Sequence, residues 1–281
     1  MIPINFEYHR PTSITEAVET FQQLQLDGKE PLYFNGGTEI ITLLRVNQFY
    51  TNTRAVIDIK AIPECCYTGF EDDCYIIGAS IPLAQIETMG TFPLLGKNCS
   101  RIADHTSRMK ITLGGNICGK IKYREAVLPL LLTDSELTIA GPSGQRHVPI
   151  HQVFDQHMNL EQGEFIVQIR IPKPFLDLPF TSKKQTKIDR ISYSLLTVSA
   201  IKTEQQIRFA FSGLCNFPFR SQEMEKALNQ CQLSVEERIT EAIALLPSPI
   251  LNDLHGSAAY RTFVLRNTLE ETIAELEGET S

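Results

Sequence analysis

The stretch of sequence that decides the fold runs from Thr112 to Leu132 and reads Thr-Leu-Gly-Gly-Asn-Ile-Cys-Gly-Lys-Ile-Lys-Tyr-Arg-Glu-Ala-Val-Leu-Pro-Leu-Leu-Leu. It begins with two adjacent glycines, Gly114 and Gly115, followed by Asn116. Glycine adopts positive φ without a Cβ clash and lets backbone N–H groups approach a ligand closely, and asparagine tolerates the same region. This segment is therefore a candidate anion-binding loop, although a single Gly-Gly pair is equally well explained as a tight turn.

A second loop of the same kind lies upstream, at residues 35–39, with the sequence Asn-Gly-Gly-Thr-Glu. It directly follows the apolar run 32–34, which predicts a buried strand, and it precedes a short predicted helix at 40–45. The N-terminus of a helix carries N–H groups without intrahelical partners and the positive end of the helix dipole, which together favour anions. Two strand-then-Gly-Gly loops therefore suggest two sets of backbone donors around one polyanion, such as a pyrophosphate.

Composition and charge place the chain among ordinary globular proteins. Its 281 residues, of which 42% are hydrophobic and 21% charged, are enough for about two domains. The formal net charge of -7 argues against a nucleic-acid-binding or anionic-membrane-binding surface. Apolar runs such as 126–132 are too short to cross a bilayer, and the N-terminus lacks the pattern of a signal peptide. We therefore expect a cytoplasmic protein without a membrane span.

The cysteines and histidines give no sign of a metal site or of covalent catalysis. The seven cysteines are odd in number and contain no C-x-x-C pair, which predicts reduced thiols. The six histidines show no H-x-x-x-H spacing. The chain has no G-x-S-x-G element, and Cys118 has no evident base nearby in sequence. We predict no catalytic side chain and no metal ligand.

The order of the predicted elements divides the chain in two. A capping box at Ser13 and Glu16, followed by apolar residues at helical spacing, predicts a helix at 13–26. Prolines at 172, 174 and 179 mark a boundary, after which strands are followed by helices, as in an α+β domain. We expect a domain at 1–172, with subdomains at about 1–52 and 53–172, and a second domain at 180–281. The remaining predicted strands are 1–10, 55–59, 74–79, 136–140, 146–150, 165–171, 194–201 and 207–214, and the remaining helices are 82–87, 94–103, 222–228, 235–246 and 258–276. Residues 125–133 are either a helix or a buried apolar segment.

Several short motifs occur in a fixed order along nearly the whole chain. They are Tyr8-x-Arg10-Pro11, Gly36-Gly37-Thr38-Glu39, Ile57-Asp58-Ile59, Ile77-Gly78-Ala79, Thr112-x-Gly114-Gly115-Asn116, Gly213 with Pro218-x-Arg220, and Ser257-Ala258-x-Tyr260-Arg261. In this order the chain resembles the FAD-binding flavoprotein (medium) subunit of bacterial molybdenum hydroxylases, the family of xanthine dehydrogenase and carbon monoxide dehydrogenase. The resemblance implies an α+β protein with a two-part N-terminal FAD-binding α/β domain of the PCMH type. It also implies a C-terminal α+β domain, with a small antiparallel sheet and helices, that covers the flavin side.

The resemblance also implies which residues contact FAD. Ile102 falls at an apolar contact position, and Glu125 falls at a carboxylate position that bonds the cofactor. Ile166 and Lys184 fall near the flavin, where a lysine would stabilise negative charge on the reduced ring, and Tyr193 falls against the ring. Alone, these residues are also explained as core side chains, a helix N-terminal acid or a solvated lysine. The residues of the two loops are Tyr33, Phe34, Asn35, Gly36, Gly37, Thr38, Glu39, Ile40, Thr112, Gly114, Gly115 and Asn116.

The chain departs from the family pattern at a few positions. Relatives carry a small-Ser-Pro segment after Gly-Gly-Asn, whereas this chain has Lys120-Ile121-Lys122. An isoleucine cannot bond a phosphate or ribose as a serine can, so the lysines are candidate replacements. Ser192 stands in place of an aspartate, and Ile81 in place of a threonine. The chain also lacks the cysteine-rich insertion that holds a [4Fe–4S] cluster in some relatives.

By this resemblance, the chain is the FAD-binding subunit of a multi-subunit molybdenum hydroxylase, and xanthine dehydrogenase, an enzyme of purine catabolism, is the relative we expect it to match in function. Its partners would be a molybdopterin-binding large subunit, a [2Fe–2S] small subunit, and NAD⁺ or another electron acceptor. Two alternatives stay open. One is a stand-alone flavin oxidoreductase of the same superfamily. The other is a flavin-free assembly partner, which the departure from the family pattern at residues 120–122 favours.

Overall fold

The computed structural model describes residues 5–46, 49–187 and 193–278. The strands are β1 (Glu7–His9), β2 (Glu30–Phe34), β3 (Thr53–Asp58), β4 (Thr68–Glu71), β5 (Cys74–Gly78), β6 (Glu136–Gly141), β7 (Gly144–Pro149), β8 (Phe154–Asp155), β9 (His157–Met158), β10 (Phe165–Pro172), β11 (Phe180–Thr186), β12 (Ser194–Lys202), β13 (Ile207–Ser212) and β14 (Phe219–Arg220). The α-helices are α1 (Ile14–Leu26), α2 (Thr38–Arg45), α3 (Pro63–Cys66), α4 (Leu83–Met89), α5 (Pro93–Cys99), α6 (His105–Arg108), α7 (Leu113–Ile117), α8 (Val127–Leu132), α9 (Ile150–Val153), α10 (Gln222–Leu228), α11 (Val235–Ala244) and α12 (Ala258–Glu277).

Two compact units make up the chain. The first unit contains residues 1–88, 105–120 and 134–173, and the second contains 89–104, 121–133 and 174–281. This grouping differs from the predicted division in that the segments 89–104 and 121–133 pack with the C-terminal residues. For the segment 121–133, the reason is helix α8, which is apolar on all sides and has every one of its residues buried. Such a helix needs a sheet to cover it.

The first unit is built on two main sheets. The first sheet is parallel, with the order β1-β3-β2, and α1 packs on it through Ala17, Phe21 and Leu24. Helix α1 begins as predicted, because Ser13 Oγ accepts the N–H of Glu16 at 3.2 Å. The second sheet has the order β4-β5-β10-β6-β7, and all its pairs are antiparallel. The Gly-Gly loop of residues 36–37 connects the end of β2 to the start of α2.

The second unit is an antiparallel sheet with the order β11-β12-β13-β14 and helices α10, α11 and α12. Its hydrophobic core joins Phe209 and Phe211 of β13 to Leu265 and Leu269 of α12. Together, the antiparallel sheets and the helices confirm the α+β fold class. Among the described residues, no helix combines the length and apolar character that crossing a membrane requires.

Candidate functional site

The first Gly-Gly loop connects β2 to α2, and its backbone lies directly against the backbone that precedes the second loop. A Cβ atom added to Gly36 would lie 2.1 Å from the carbonyl oxygen of Lys110 and 3.1 Å from the amide nitrogen of Thr112. Neither backbone atom can move aside, so any side chain at residue 36 would push the two segments apart. Gly37 has φ +69 and forms the N-cap of α2, a conformation that L side chains rarely adopt.

Ala79, at the end of β5, ties the two segments together. Its carbonyl oxygen accepts the N–H of Gly114 at 2.9 Å and the Nδ2 of Asn35 at 3.1 Å. The Oδ1 of Asn35 is buried and has no hydrogen-bond partner among the described residues. A buried acceptor of this kind is unfavourable unless something donates to it. The loop therefore has a position for a hydroxyl or amino donor of a ligand.

The N-terminus of α2 supplies the donors that an anion needs. The first intrahelical bond of α2 runs from the N–H of Ile41 to the carbonyl of Gly37 at 2.9 Å. The N–H groups of Thr38 and Ile40 come before this bond and so are not engaged by the helix itself. Gly37, at the N-cap, has no side chain with which to bond them. Together with the helix dipole, these groups fit an anion such as a diphosphate.

The second Gly-Gly segment does not provide a second set of donors, and in this respect the sequence-based hypothesis is wrong. Residues 112–116 are not a loop but the start of helix α7, because Thr112 Oγ1 accepts the N–H of Gly115 at 3.2 Å and its carbonyl accepts that of Asn116 at 2.9 Å. The N–H of Leu113 bonds the carbonyl of Ile81, and that of Gly114 bonds Ala79. These four donors are therefore engaged within the protein. The glycines instead permit close packing, since a Cβ on Gly114 would lie 2.7 Å from the Cβ of Ala79.

An ion pair between a partly exposed lysine and a buried aspartate supports the first loop, and no sequence pattern pointed to the lysine. Lys60 Nζ donates to the carbonyl of Asn35 and to Asp58 Oδ1, each at 2.8 Å. Asp58 also accepts the hydroxyl of Tyr8 at 2.5 Å. Burial raises the pKa of Asp58, but the bonds from Lys60 and Tyr8 outweigh it and hold the pKa below its usual value. The motif Ile57-Asp58-Ile59 was the available signal, because it ends β3 beside the loop.

The atypical segment that begins at Lys120 is docked on α2. The carboxylate of Glu39 accepts the N–H of Lys120 at 2.8 Å, and Gly119 leaves the space that this carboxylate fills. The ammonium of Lys120 lies 5.4 Å from the ring centre of Phe49 and 5.9 Å from that of Tyr50, within the range of cation–π contacts. The segment that departs from the family pattern is therefore held to the first loop by its backbone, through Glu39.

Three predicted contact residues of the first unit have side chains that pack against other residues of the same unit. The ring of Tyr33 packs between Phe21 and Phe165, at 5.1 and 4.5 Å between ring centres. The ring of Phe34 covers Gly37, since its Cζ would lie 2.1 Å from a Cβ there. Ile166 is buried in β10. Any contact of Tyr33 with a cofactor would therefore use its backbone.

Glu125 and Lys184, both predicted to contact the cofactor, lie together in the second unit. Lys184 Nζ is 3.0 Å from Glu125 Oε1, and each side chain is 7% exposed. Lys184 also donates to the carbonyl of Arg101 at 2.7 Å. Beyond this ion pair, Glu125 Oε1 is buried and makes no hydrogen bond among the described residues, so it can still accept one. Ile102 follows in the chain and is buried.

Tyr193 begins the strand region of β12 and is 54% exposed. Its ring stacks on that of Tyr123 at 4.7 Å between centres, with 10° between the planes. The neighbouring departure at residue 192 lies outside the described residues. Within the described part of the chain, no group of three or more His, Cys, Asp or Glu side chains is arranged to hold a metal ion.

Comparisons with known proteins found a matching family and several similar proteins. Residues 4–174 match the family described as FAD binding domain in molybdopterin dehydrogenase. The carbon monoxide dehydrogenase medium chain of Hydrogenophaga pseudoflava is 31% identical over 182 residues, which cover 61% of this chain and 60% of that one. The xanthine dehydrogenase FAD-binding subunit of Escherichia coli O157:H7 is 25% identical over 283 residues, which cover 95% of this chain and 94% of that subunit.

Among solved structures, a chain of the carbon monoxide dehydrogenase from Hydrogenophaga pseudoflava that lacks the Mo-pyranopterin moiety of its molybdenum cofactor superposes with a TM-score of 0.87. The sequence identity is 24%, and the superposition covers 100% of both chains. At this identity, the similarity establishes the fold.

Proposed function

The chain belongs to the family of FAD-binding domains in molybdopterin dehydrogenases and is an FAD-binding oxidoreductase subunit of the molybdenum hydroxylases, and on this premise we propose that its complex is a xanthine dehydrogenase of purine catabolism. The chain would work in the cytoplasm with a molybdopterin-binding large subunit and a [2Fe–2S] small subunit. Electrons from the [2Fe–2S] clusters would pass to the FAD of this subunit and from there to NAD⁺ or another acceptor. Two relatives named for xanthine dehydrogenase align over 95% of the chain and support this substrate, and a carbon monoxide dehydrogenase medium chain, which aligns over 98%, sets the competing one.

The observation that carries the assignment of the FAD site is the first loop. Gly36 lies directly against the backbone of Lys110 and Thr112. Helix α2 begins with N–H groups that its glycine N-cap cannot bond. The Oδ1 of Asn35 is a buried acceptor without a hydrogen-bond partner among the described residues. These three features suit a diphosphate beside a donor-bearing sugar or base. We assign the diphosphate of FAD to the N-terminus of α2, with residues 33–40 as its frame and residues 112–116 as packing support.

In the second unit, we assign contacts with the flavin to Ile102, Glu125, Lys184 and Tyr193. FAD supplies the electron and hydride chemistry, so the chain needs no general acid, base or nucleophile of its own. The role of Lys184 is constrained by its partner, because the carboxylate of Glu125 offsets its charge. Glu125 Oε1 remains able to accept a hydrogen bond from the cofactor.

Purification of the tagged chain from its native host tests the proposal. We expect the chain to carry stoichiometric FAD, seen as a flavin absorption spectrum, and to co-purify with two partner subunits that contain molybdenum and iron. The complex should reduce NAD⁺ with xanthine and should be inactive with carbon monoxide. Activity with carbon monoxide and not with xanthine would contradict the proposed substrate while leaving the FAD assignment intact.

The two alternatives give different outcomes in the same experiment. A stand-alone oxidoreductase would turn over substrate as an isolated chain without molybdenum or iron. A flavin-free assembly partner would show no flavin spectrum even after incubation with FAD.

A further inference from the structure

Three aromatic side chains of the second unit form one cluster. The rings of Tyr123 and Tyr193 lie parallel, and the imidazole of His255 meets both edge-on, at 6.5 and 6.2 Å between centres. Tyr123 is only 4% exposed, whereas Tyr193 keeps one face open. We name this cluster of Tyr123, Tyr193 and His255 the aromatic platform.

A charged network fixes the buried side of the aromatic platform. Asp253 accepts Lys122 Nζ at 2.6 Å, Arg261 Nη2 at 2.7 Å and the backbone N–H of His255 at 3.0 Å. Arg261 is fully buried and also donates to the carbonyls of Leu195 and Gly213.

The same network reaches both ends of the aromatic platform. Lys122 lies 5.3 Å from the ring centre of Tyr123. Asp253 therefore connects to Tyr123 through the side chain of Lys122, and to His255 through the backbone N–H of His255.

Among the described residues, the ring of Tyr123 contacts Tyr193, His255 and Lys122. Its hydroxyl is buried without a hydrogen-bond partner among the described residues, a costly arrangement for a tyrosine in place of a phenylalanine. Burial raises its pKa to about 12. Parallel stacking keeps the ring of Tyr193 in one plane, and His255 limits its tilt.

We propose that Tyr123 and His255 are positioning residues that hold Tyr193 so that its open face stacks on a planar, electron-poor heteroaromatic ring. This inference rests on the proposed function. The ring is either the isoalloxazine of FAD or the pyridinium of a nicotinamide acceptor, which share this chemistry. An electron-rich phenol stacked on an electron-poor ring stabilises the oxidised form of that ring.

The test uses the flavin-loaded protein as purified, with Tyr193→Leu, Tyr123→Leu and Tyr123→Phe. If the isoalloxazine lies on the aromatic platform, both leucine variants raise the flavin midpoint potential and alter the visible flavin spectrum. Tyr123→Phe keeps the stacked ring and should restore the wild-type values. Phe263→Leu, which alters an exposed aromatic residue elsewhere in the unit, is the control and should change neither. Lys122→Met replaces Tyr123→Leu if that variant does not fold, with a smaller shift expected.

The outcomes separate the two rings and the two hypotheses. An unchanged flavin with a raised KM for NAD⁺ in Tyr193→Leu and Tyr123→Leu places the acceptor ring on the aromatic platform. Unchanged spectrum, potential and KM in a flavin-containing protein overturn this inference alone. A wild-type chain that takes up no FAD overturns the proposed function, and this inference with it.

Discussion

Lys184 Nζ and Glu125 Oε1 lie 3.0 Å apart in the second unit, and both side chains are almost fully buried. The family resemblance assigns each of them separately to the cofactor, whereas the structure makes them partners. The net charge of the pair is zero, so it presents a dipole and not an isolated cation. If the pair borders the flavin, its influence on the reduced ring depends on both residues together.

Removal of one partner of this buried pair should be costly. We expect Lys184→Met to lower the free energy of unfolding by about 3 kcal/mol, because it leaves the carboxylate of Glu125 buried without its counter-charge. The adjacent Lys183→Met is the matched control, since its carboxylate partners Glu271 and Glu275 are exposed and the loss should stay below about 1 kcal/mol. Denaturant unfolding of both variants measures the difference. Equal losses would contradict the buried ion pair.

Gly36→Ala should release FAD. The new Cβ would meet the carbonyl of Lys110, and the resulting strain of about 1–3 kcal/mol separates the two segments that frame the loop. Gly28→Ala is the control, because Gly28 has φ +71 but no atom lies within 4 Å of the place that a Cβ would occupy. The control substitution therefore adds backbone strain of about 1–2 kcal/mol but no steric clash, and it should retain FAD. The flavin-to-protein absorbance ratio after gel filtration is the measurement. Full flavin retention in Gly36→Ala would argue against the loop as the diphosphate site.

Asp58→Asn should destabilise the protein by about 2 kcal/mol at neutral pH, since Asp58 accepts charged and hydroxyl donors. Its folded pKa is lowered, so its contribution is present above the unfolded pKa of about 4 and is lost as the pH falls through the folded value. The difference in the free energy of unfolding between the wild type and Asp58→Asn should therefore become smaller below about pH 4. Urea unfolding across this range tests the sign, and a gap that widens in acid contradicts it. Asp177→Asn, at an exposed position, should change the free energy by less than about 0.5 kcal/mol.

The cysteines should divide by burial in an alkylation experiment. Burial raises the pKa of Cys65 to about 12 and that of Cys215 to about 11, so both should remain unlabelled in the folded protein near neutral pH. Cys118 and Cys231 are exposed and should react with iodoacetamide. Peptide mass spectrometry before and after denaturation gives the pattern. Rapid native labelling of Cys65 would contradict the packing of the first unit.

Local sequence determined most elements of this protein, because caps and hydrophobic periodicity act over a few neighbouring residues. Ser13 marked the start of α1, and the apolar pattern predicted α12 from 258 to 276 against the observed Ala258–Glu277. Ordered motifs also identified the family and its cofactor. The first Gly-Gly loop was predicted correctly as the connection between a strand and a helix.

Only the tertiary structure decided what the side chains and N–H groups of the site are bonded to. In the folded chain, the N–H groups around Gly114 donate hydrogen bonds to Thr112, Ala79 and Ile81. The ammonium of Lys60 donates to the carbonyl of Asn35. The tertiary structure also grouped 89–104 and 121–133 with the second unit, which brought Tyr123 against Tyr193. These pairings join residues far apart in sequence, and no local pattern encodes which of several carbonyls or rings a given residue will meet. Their energies depend on packing and burial, which exist only once the chain has folded.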